Sequence, residues 1–362
     1  MIIAMHMANE LLSVPVAGVT LALAALLVVW AAVRSRKKLD PAKLPLMGVL
    51  GAFVFAGQMI NFTLPGMPGT SGHLGGGVLL AILLGPAAGI LVMTAILIVQ
   101  CLLFQDGGLL ALGCNVINMG VVPCLVGWGI YRLVLGAAAS ARPWRQYVAA
   151  WLACIVGVTA GAALVPIESA ISGVLKISTV HFLGVMVGVH LIIAFGEGLI
   201  TFAVVAYLRQ VRPASLGLEV ADAGGRLGRK TVLATLMVTA ALLAGVVSWF
   251  ASTHPDGLEW SYLEHRYGGS DAAVATPDET VAQVDALQAK WSLMPDYTKR
   301  ATALGEEPAG EEEAAEEEGA AWPAMSGWGS LAGLIGTAVT LAVVYLIALA
   351  VRRRDRTAPE HA

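Results

Sequence analysis

The chain is poor in charge. Only 13% of its 362 residues are Asp, Glu, Lys or Arg, whereas 57% are hydrophobic. A soluble domain carries about a quarter charged residues, so this composition excludes an ordinary wetted globule and implies an integral membrane protein. Cysteine is scarce as well. Cys101, Cys114, Cys124 and Cys154 lie in or beside apolar runs with no CxxC pair among them. That excludes a disulfide frame and a thiolate metal site and leaves small packing residues. There is no GxxxxGK[ST] loop to cradle a nucleotide phosphate, and neither HExxH nor GxSxG occurs, which removes the common hydrolase signatures. No nucleic-acid partner is expected. The first apolar run follows Glu10 and meets the basic stop RSRKK, so it is expected to stay in the membrane and not to be cleaved.

Long apolar runs are abundant. A crossing takes about 20 apolar residues, and such runs lie near 14–33, 46–62, 115–136, 146–166, 180–208, 231–250 and 327–351. A longer stretch from Leu74 to Phe104 is interrupted by Gly85-Pro86. Proline removes a helical donor and disfavours helix just before it, so the stretch divides into 74–84 and 87–104. The expected fold is therefore an all-α integral membrane protein, a bundle of about seven helices followed by two C-terminal transmembrane helices that flank an acidic outer loop.

Charge supplies the orientation. With the N-terminus outside, the loops left inside hold 17 of the 22 basic residues, among them Arg34, Arg36, Lys37 and Lys38 after the first run and Arg352, Arg353, Arg354 and Arg356 after the last. Cytoplasmic loops are enriched in Lys and Arg, so a multi-pass protein of the cell (inner) membrane is expected, lipid on its flanks, N-terminus outside and C-terminus cytoplasmic. The parity requires Gly85-Pro86 to be a true turn. Residues 251–326 then lie outside with 16 of the 25 acidic residues and the run EEPAGEEEAAEEEGAA, which reads as partly disordered near 301–320. The small pairs Gly157/Gly161 and Gly184/Gly188 are spaced for close helix packing.

Seven histidines occur, and His6, His73, His181 and His190 fall at or within the seven-helix part. Ionisable groups at membrane depth are functional candidates by default. Met5-His6-Met7 precedes the first run; a functional chain starting at Met5 would place a free amine, the next amide nitrogen and an imidazole in one chelating unit. His73 ends the Gly/Pro-rich loop TLPGMPGTSGH on the same outer side. His190 and Glu197, seven apart, share a helix face and could pair.

Several stretches carry a resemblance: TSGHLGGGVLLAILLGP (70–86), LFQDGGLLALGCNVINM (103–119) and GVHLIIAFGEGLITFAVVAYLRQVRP (188–213), with the Met-His start and LMGVLGAFVFAGQMINF. Residues 5–213 resemble the substrate-binding membrane component of energy-coupling-factor cobalt and nickel transporters, the CbiM/NikM family. Residues 225–356, with HPDGLEW, MPDYTKR and a final helix, resemble its small accessory component with a PDGLE motif, here as helix 231–250, loop 251–326 and helix 327–351. The resemblance implies import of Co²⁺ or Ni²⁺, cobalt possibly serving cobalamin biosynthesis. It also implies a transmembrane coupling protein and cytoplasmic ATPases as partners; the chain itself is then no enzyme and holds no cofactor. Carried over residue by residue, it implies metal ligation at the Met5 and His6 segment and at His73. Gln58, Asn61, Ser71, Asn115 and Asn118 lie near the same end and could orient the ligands. Imidazole nitrogen suits both metals and does not suit Mg²⁺ or Ca²⁺. The accessory segment, including His254 and His265, is expected to aid loading or assembly and not to supply the site. Two rivals remain: a membrane metal sensor that does not transport, and an intramembrane hydrolase using Ser71 and His73.

Overall fold

The computed structural model describes residues 6–36, 43–136, 143–211, 227–262, 273–298, 323 and 325–353. It is a helical membrane protein. Six helices are apolar and long enough to cross a bilayer: α1 (Val14–Arg36), α4 (Pro86–Phe104), α5 (Leu112–Leu135), α6 (Pro143–Ser172), α7 (Thr179–Val211) and α11 (Gly327–Arg353). Three of the nine expected crossings are shorter: α2 (Leu44–Gln58), α3 (Gly77–Leu84) and α8 (Arg229–Gly245). α2 stops short of residue 62 because Phe62–Thr63 (β1) instead pairs antiparallel with Ser71–Gly72 (β2), tying down the loop before α3. The break at Gly85-Pro86 is real. Gly85 takes φ +90, which a side chain would resist, and Pro86 opens α4 where its missing N–H costs nothing.

Burial sorts the helices. α2, α3 and α4 are buried along most of their length, whereas α1 buries only Ala17, Ala24, Ala31 and Ser35. The alanines recur every seven residues and form one narrow seam, leaving Leu23, Leu26, Trp30 and other large apolar side chains facing outward, as lipid permits. α5 departs from regular helix. Val116–Val121 and Pro123–Gly127 wind in wider π turns. Pro123 has no N–H for the Met119 carbonyl four residues back. Gly77 of α3 lies so close that a Cβ there would stand 2.6 Å from that carbonyl oxygen, and Gly161 of α6 crowds the neighbouring Asn118 carbonyl. Gly157 likewise packs against Gly127, but Gly184 and Gly188 have open space around them, so that pair does not form the expected contact.

The C-terminal helices do not stand apart. Val232, Leu236, Ala240 and Ala244 of α8 and Ala332, Val344 and Ala348 of α11 belong to the same hydrophobic core as α2, α3 and α4. Gly48 and Gly51 let α11 approach, since a Cβ at either would meet Leu341 or Val344 at 3.1 and 3.0 Å. The segment expected as one outer loop contains helices α9 (Gly257–Tyr262) and α10 (Glu279–Trp291). The acidic run 306–318 lies outside the described residues.

Candidate metal centre

Three pieces of chain converge on a buried cavity of about 80 Å³ lined by His6, His73, Asn115, Asn118, His190 and Asp256, among others. The first piece is the N-terminal segment. Asn115 of α5 grips Met7 twice, its Oδ1 accepting from the Met7 amide at 3.0 Å and its Nδ2 donating to the Met7 carbonyl at 3.1 Å. Asn9 Oδ1 accepts from the amides of Leu110 and Ala111 at 2.7 and 3.2 Å. Gly107 takes φ +85, and a Cβ there would stand 2.9 Å from the His6 Cβ. The loop after α4 thus fits the N-terminal segment only with glycine at that position.

The second piece is the loop ending at His73. Glu197 of α7, fully buried, accepts from the amides of Gly75 and Gly76 at 2.8 and 3.0 Å. Gln58 donates to the Gly75 carbonyl at 2.8 Å and accepts from Gln100 at 3.0 Å. The third piece comes from the accessory segment. Ser71 donates its amide to the Pro255 carbonyl at 2.8 Å and its hydroxyl to the His254 carbonyl at 2.8 Å. Residues 254–257 are in this way fastened beside the TSGH loop.

These supports bring His6 and His73, far apart in sequence, to a ring-centroid separation of 5.6 Å. Two imidazoles sharing one ion at metal–nitrogen distances of about 2.0–2.1 Å would have centroids roughly 4.5 Å apart at a right angle and roughly 6.4 Å apart in line. The observed spacing falls inside that window. The tautomers follow from the partners. His73 Nδ1 lies 3.1 Å from the Leu74 carbonyl, which can only accept, so Nδ1 carries a proton, and in the neutral ring the lone pair is on Nε2. His6 Nδ1 lies 2.6 Å from Asp106 Oδ1, and its buried Nε2 has no hydrogen-bond partner.

Asp106 is held on its other oxygen by the Tyr297 hydroxyl at 2.7 Å. Burial works against its charge, but His6, the hydrogen bonds from His6 and Tyr297, and His73 beyond outweigh it, and the carboxyl sits below its usual range. Burial and the neighbouring Asp106 push Tyr297 up, which keeps it a donor. Asp256 is pushed up, chiefly by burial and also by Asp106, against its backbone hydrogen bonds and the pull of His6. Among the described residues no group of three or more His, Cys, Asp or Glu side chains is arranged to hold a metal.

The candidates read from sequence are sorted by this geometry. His6 and His73 come together. Met5 lies outside the described residues, as does His265. Asn115 and Asn118 reach the cavity, Asn118 donating to Glu168 at 2.7 Å. Gln58 and Ser71 support the His73 loop. The Asn61 carbonyl accepts from the Ser252 amide at 2.7 Å, and its side chain is absent from the cavity lining. His190 and Glu197 do not bond each other: His190 Nδ1 meets the Met186 carbonyl at 2.9 Å, while Glu197 serves Gly75 and Gly76. The Ser71 hydroxyl turns to His254, not to His73, and so forms no nucleophile-base pair. Asp106, Tyr297, Gln288 and Asp256 escaped the sequence reading. For Asp106 a signal existed in LFQDGG, an acid beside two glycines just past a membrane helix; for the others the partner lies in a distant part of the chain.

A polytopic membrane protein with an imidazole-lined cavity is the class that fold and site define. The chain belongs to the family described as cobalt uptake substrate-specific transmembrane region (CbiM), matched over residues 6–215, and residues 230–353 match the PDGLE domain. It is similar to a protein of Archaeoglobus fulgidus provisionally named fused nickel transport protein NikMN, 39% identical over 194 residues, 54% of this chain and 62% of the relative. The match thus spans less than two thirds of that relative. A provisionally named metal transport protein of Haloquadratum walsbyi is 35% identical over 209 residues, 58% of this chain and 92% of its own. The cobalt transport protein CbiM of Moorella thermoacetica is 34% identical over 173 residues, 48% and 66% respectively. A solved truncated transition metal transporter is 33% identical, covering 56% of this chain and 97% of its own, with a TM-score of 0.48.

Proposed function

We infer that this chain is the substrate-specific component of an energy-coupling-factor importer for Co²⁺ or Ni²⁺, working with a transmembrane coupling protein and cytoplasmic ATPases that drive release inward. Import of cobalt would feed a pathway that consumes it, such as cobalamin synthesis. The observation that carries the reading is the approach of His6 and His73 to a ring separation of 5.6 Å in a buried cavity. In the proposed site the ion is held by the Met5 amine, the His6 amide nitrogen, the His6 imidazole and the His73 imidazole, with Met5 as the functional first residue. The first three donors close fused chelate rings with little loop entropy to lose. A ring closed through the His6 backbone reaches Nδ1, so loading exchanges the Asp106 hydrogen bond for the ion at that nitrogen. The unpartnered Nε2 of His6 favours a second reading, in which Nε2 binds and neither exchange nor a free amine is needed.

Intact mass of the purified protein and metal titration decide between them. His6→Ala and His73→Ala are each expected to abolish tight Ni²⁺ and Co²⁺ binding. Retained binding in both would overturn the site. A chain that keeps MIIA and still binds tightly would remove the amine and leave the Nε2 reading. In either case the donors must shed protons to bind, so affinity falls as the medium is acidified.

A further inference from the structure

We propose that Asp256, from the accessory segment, is an oxygen ligand of the cargo ion and biases the site toward Co²⁺. This rests on the reading of the His6 and His73 cavity as the metal site and deepens it; since no three such side chains already stand in a ligating array among the described residues, the carboxylate closes onto the ion as it binds. Asp256 Oδ2 lies 3.8 Å from His73 Nε2, both side chains nearly buried. That gap is too long for a hydrogen bond. It matches two donors sharing one ion, which at metal–ligand distances of about 2.0–2.2 Å stand roughly 2.9 Å apart at a right angle and roughly 4.2 Å apart in line. His73 Nδ1 is engaged by the Leu74 carbonyl, so Nε2 is the ring atom turned toward the carboxylate, and an ion between the two would be held by both.

The carboxylate is aimed, not incidental. Its Oδ1 accepts from the Glu259 amide at 2.8 Å, capping α9 and fixing the side chain. The backbone before it is bonded to Ser71, and Gly257 after it is pressed against Val189 and Ile193 so closely that a Cβ would overlap them. Among the described residues lining the cavity, Asp256 is the only carboxylate. A set of nitrogen donors in one plane suits Ni²⁺, whereas a carboxylate oxygen added to them raises the coordination number and suits Co²⁺ comparatively better.

The test uses the full chain in detergent or nanodiscs, loaded with CoCl₂ or NiCl₂ alone, comparing wild type, Asp256→Asn, Asp256→Ala, His73→Ala and, on the exposed face of α10, Glu279→Gln. Asn keeps the oxygen that caps α9 while removing the charge, and melting of the metal-free proteins separates misfolding from ligand loss. Asp256→Asn is expected to weaken Co²⁺ binding about 10-fold or more and Ni²⁺ binding less. Co²⁺ d–d spectra and X-ray absorption should change toward fewer oxygen donors, and Glu279→Gln should leave both unchanged. If His73→Ala abolishes binding while both Asp256 variants melt, bind and absorb like wild type, the carboxylate ligand is refuted and the metal site stands. If neither His73→Ala nor the Asp256 variants alter binding, the site itself is refuted, and the ligand with it.

Discussion

His6 sits at the end of a short polar chain: Tyr297 donates to Asp106, and Asp106 accepts from His6. If the ion binds at His6 Nε2, Asp106 stands behind a metal-binding histidine, fixes the ring and its tautomer and, with Asp256, offsets part of the dication's charge. Asp106→Asn should therefore weaken Ni²⁺ and Co²⁺ binding by about 10- to 100-fold, the range seen for such outer partners. Titration calorimetry on the purified variant reads this directly, and an unchanged Kd would mean that Asp106 serves packing alone. The two histidines were legible because each sits in a local pattern, Met-His-Met and TSGH. Asp106 was visible in LFQDGG but without a role, since the role is set by Tyr297 across 191 positions. Tyr297 itself carries no local signal; it and Asp296 take left-handed backbone angles that sequence does not announce in such residues.

At the scale of elements, Gln288 of helix α10 makes the most bonds to the loop after α4. Gln288 donates to the carbonyls of Cys101 and Gly107 at 3.1 and 2.8 Å and accepts from the Leu109 amide at 2.9 Å. Removing it strands buried backbone groups, each of which costs about 1–3 kcal/mol when left unpaired. Gln288→Ala should lower the melting temperature of the metal-free protein, as followed by intrinsic fluorescence, while Gln283→Ala on the exposed face of α10 should not. Hydropathy gave the places of the apolar helices and the turn at Gly85-Pro86, since both are written in local composition. The π turns of α5 were not legible, because Pro123 alone permits either a kink or a widened turn. The choice falls to Gly77 and Gly161, which bring α3 and α6 up to the freed carbonyls. The small α9 and α10 were likewise hidden inside an acidic stretch whose overall charge suggested only a tether.

Over the whole molecule, the four cysteines are all free and buried, so the natural chain offers little background to a membrane-impermeant thiol reagent. Asp278 is exposed at the start of α10. Asp278→Cys should label from outside intact cells, as the bias of 17 basic residues to the other face requires. Labelling only after lysis would invert the topology. The division into a 5–213 part and a 225–356 part, read from motifs, understates how far the two are interleaved. α8 and α11 complete the core around α2 and α4, and hydropathy cannot say which apolar helices touch.

The strap at residues 254–257 lies on the TSGH loop through two hydrogen bonds from Ser71, a contact too small by itself to bring it there; α8 and α11, packed in the common core, carry it. Joined in one polypeptide, it acts at an effective concentration on the order of millimolar, whatever the number of copies in the membrane. Occupancy of the cavity by its strap is then independent of expression level. A cell that makes little of this protein still places a strap beside every cavity, whereas a strap on a separate chain would also depend on the two chains being made and paired.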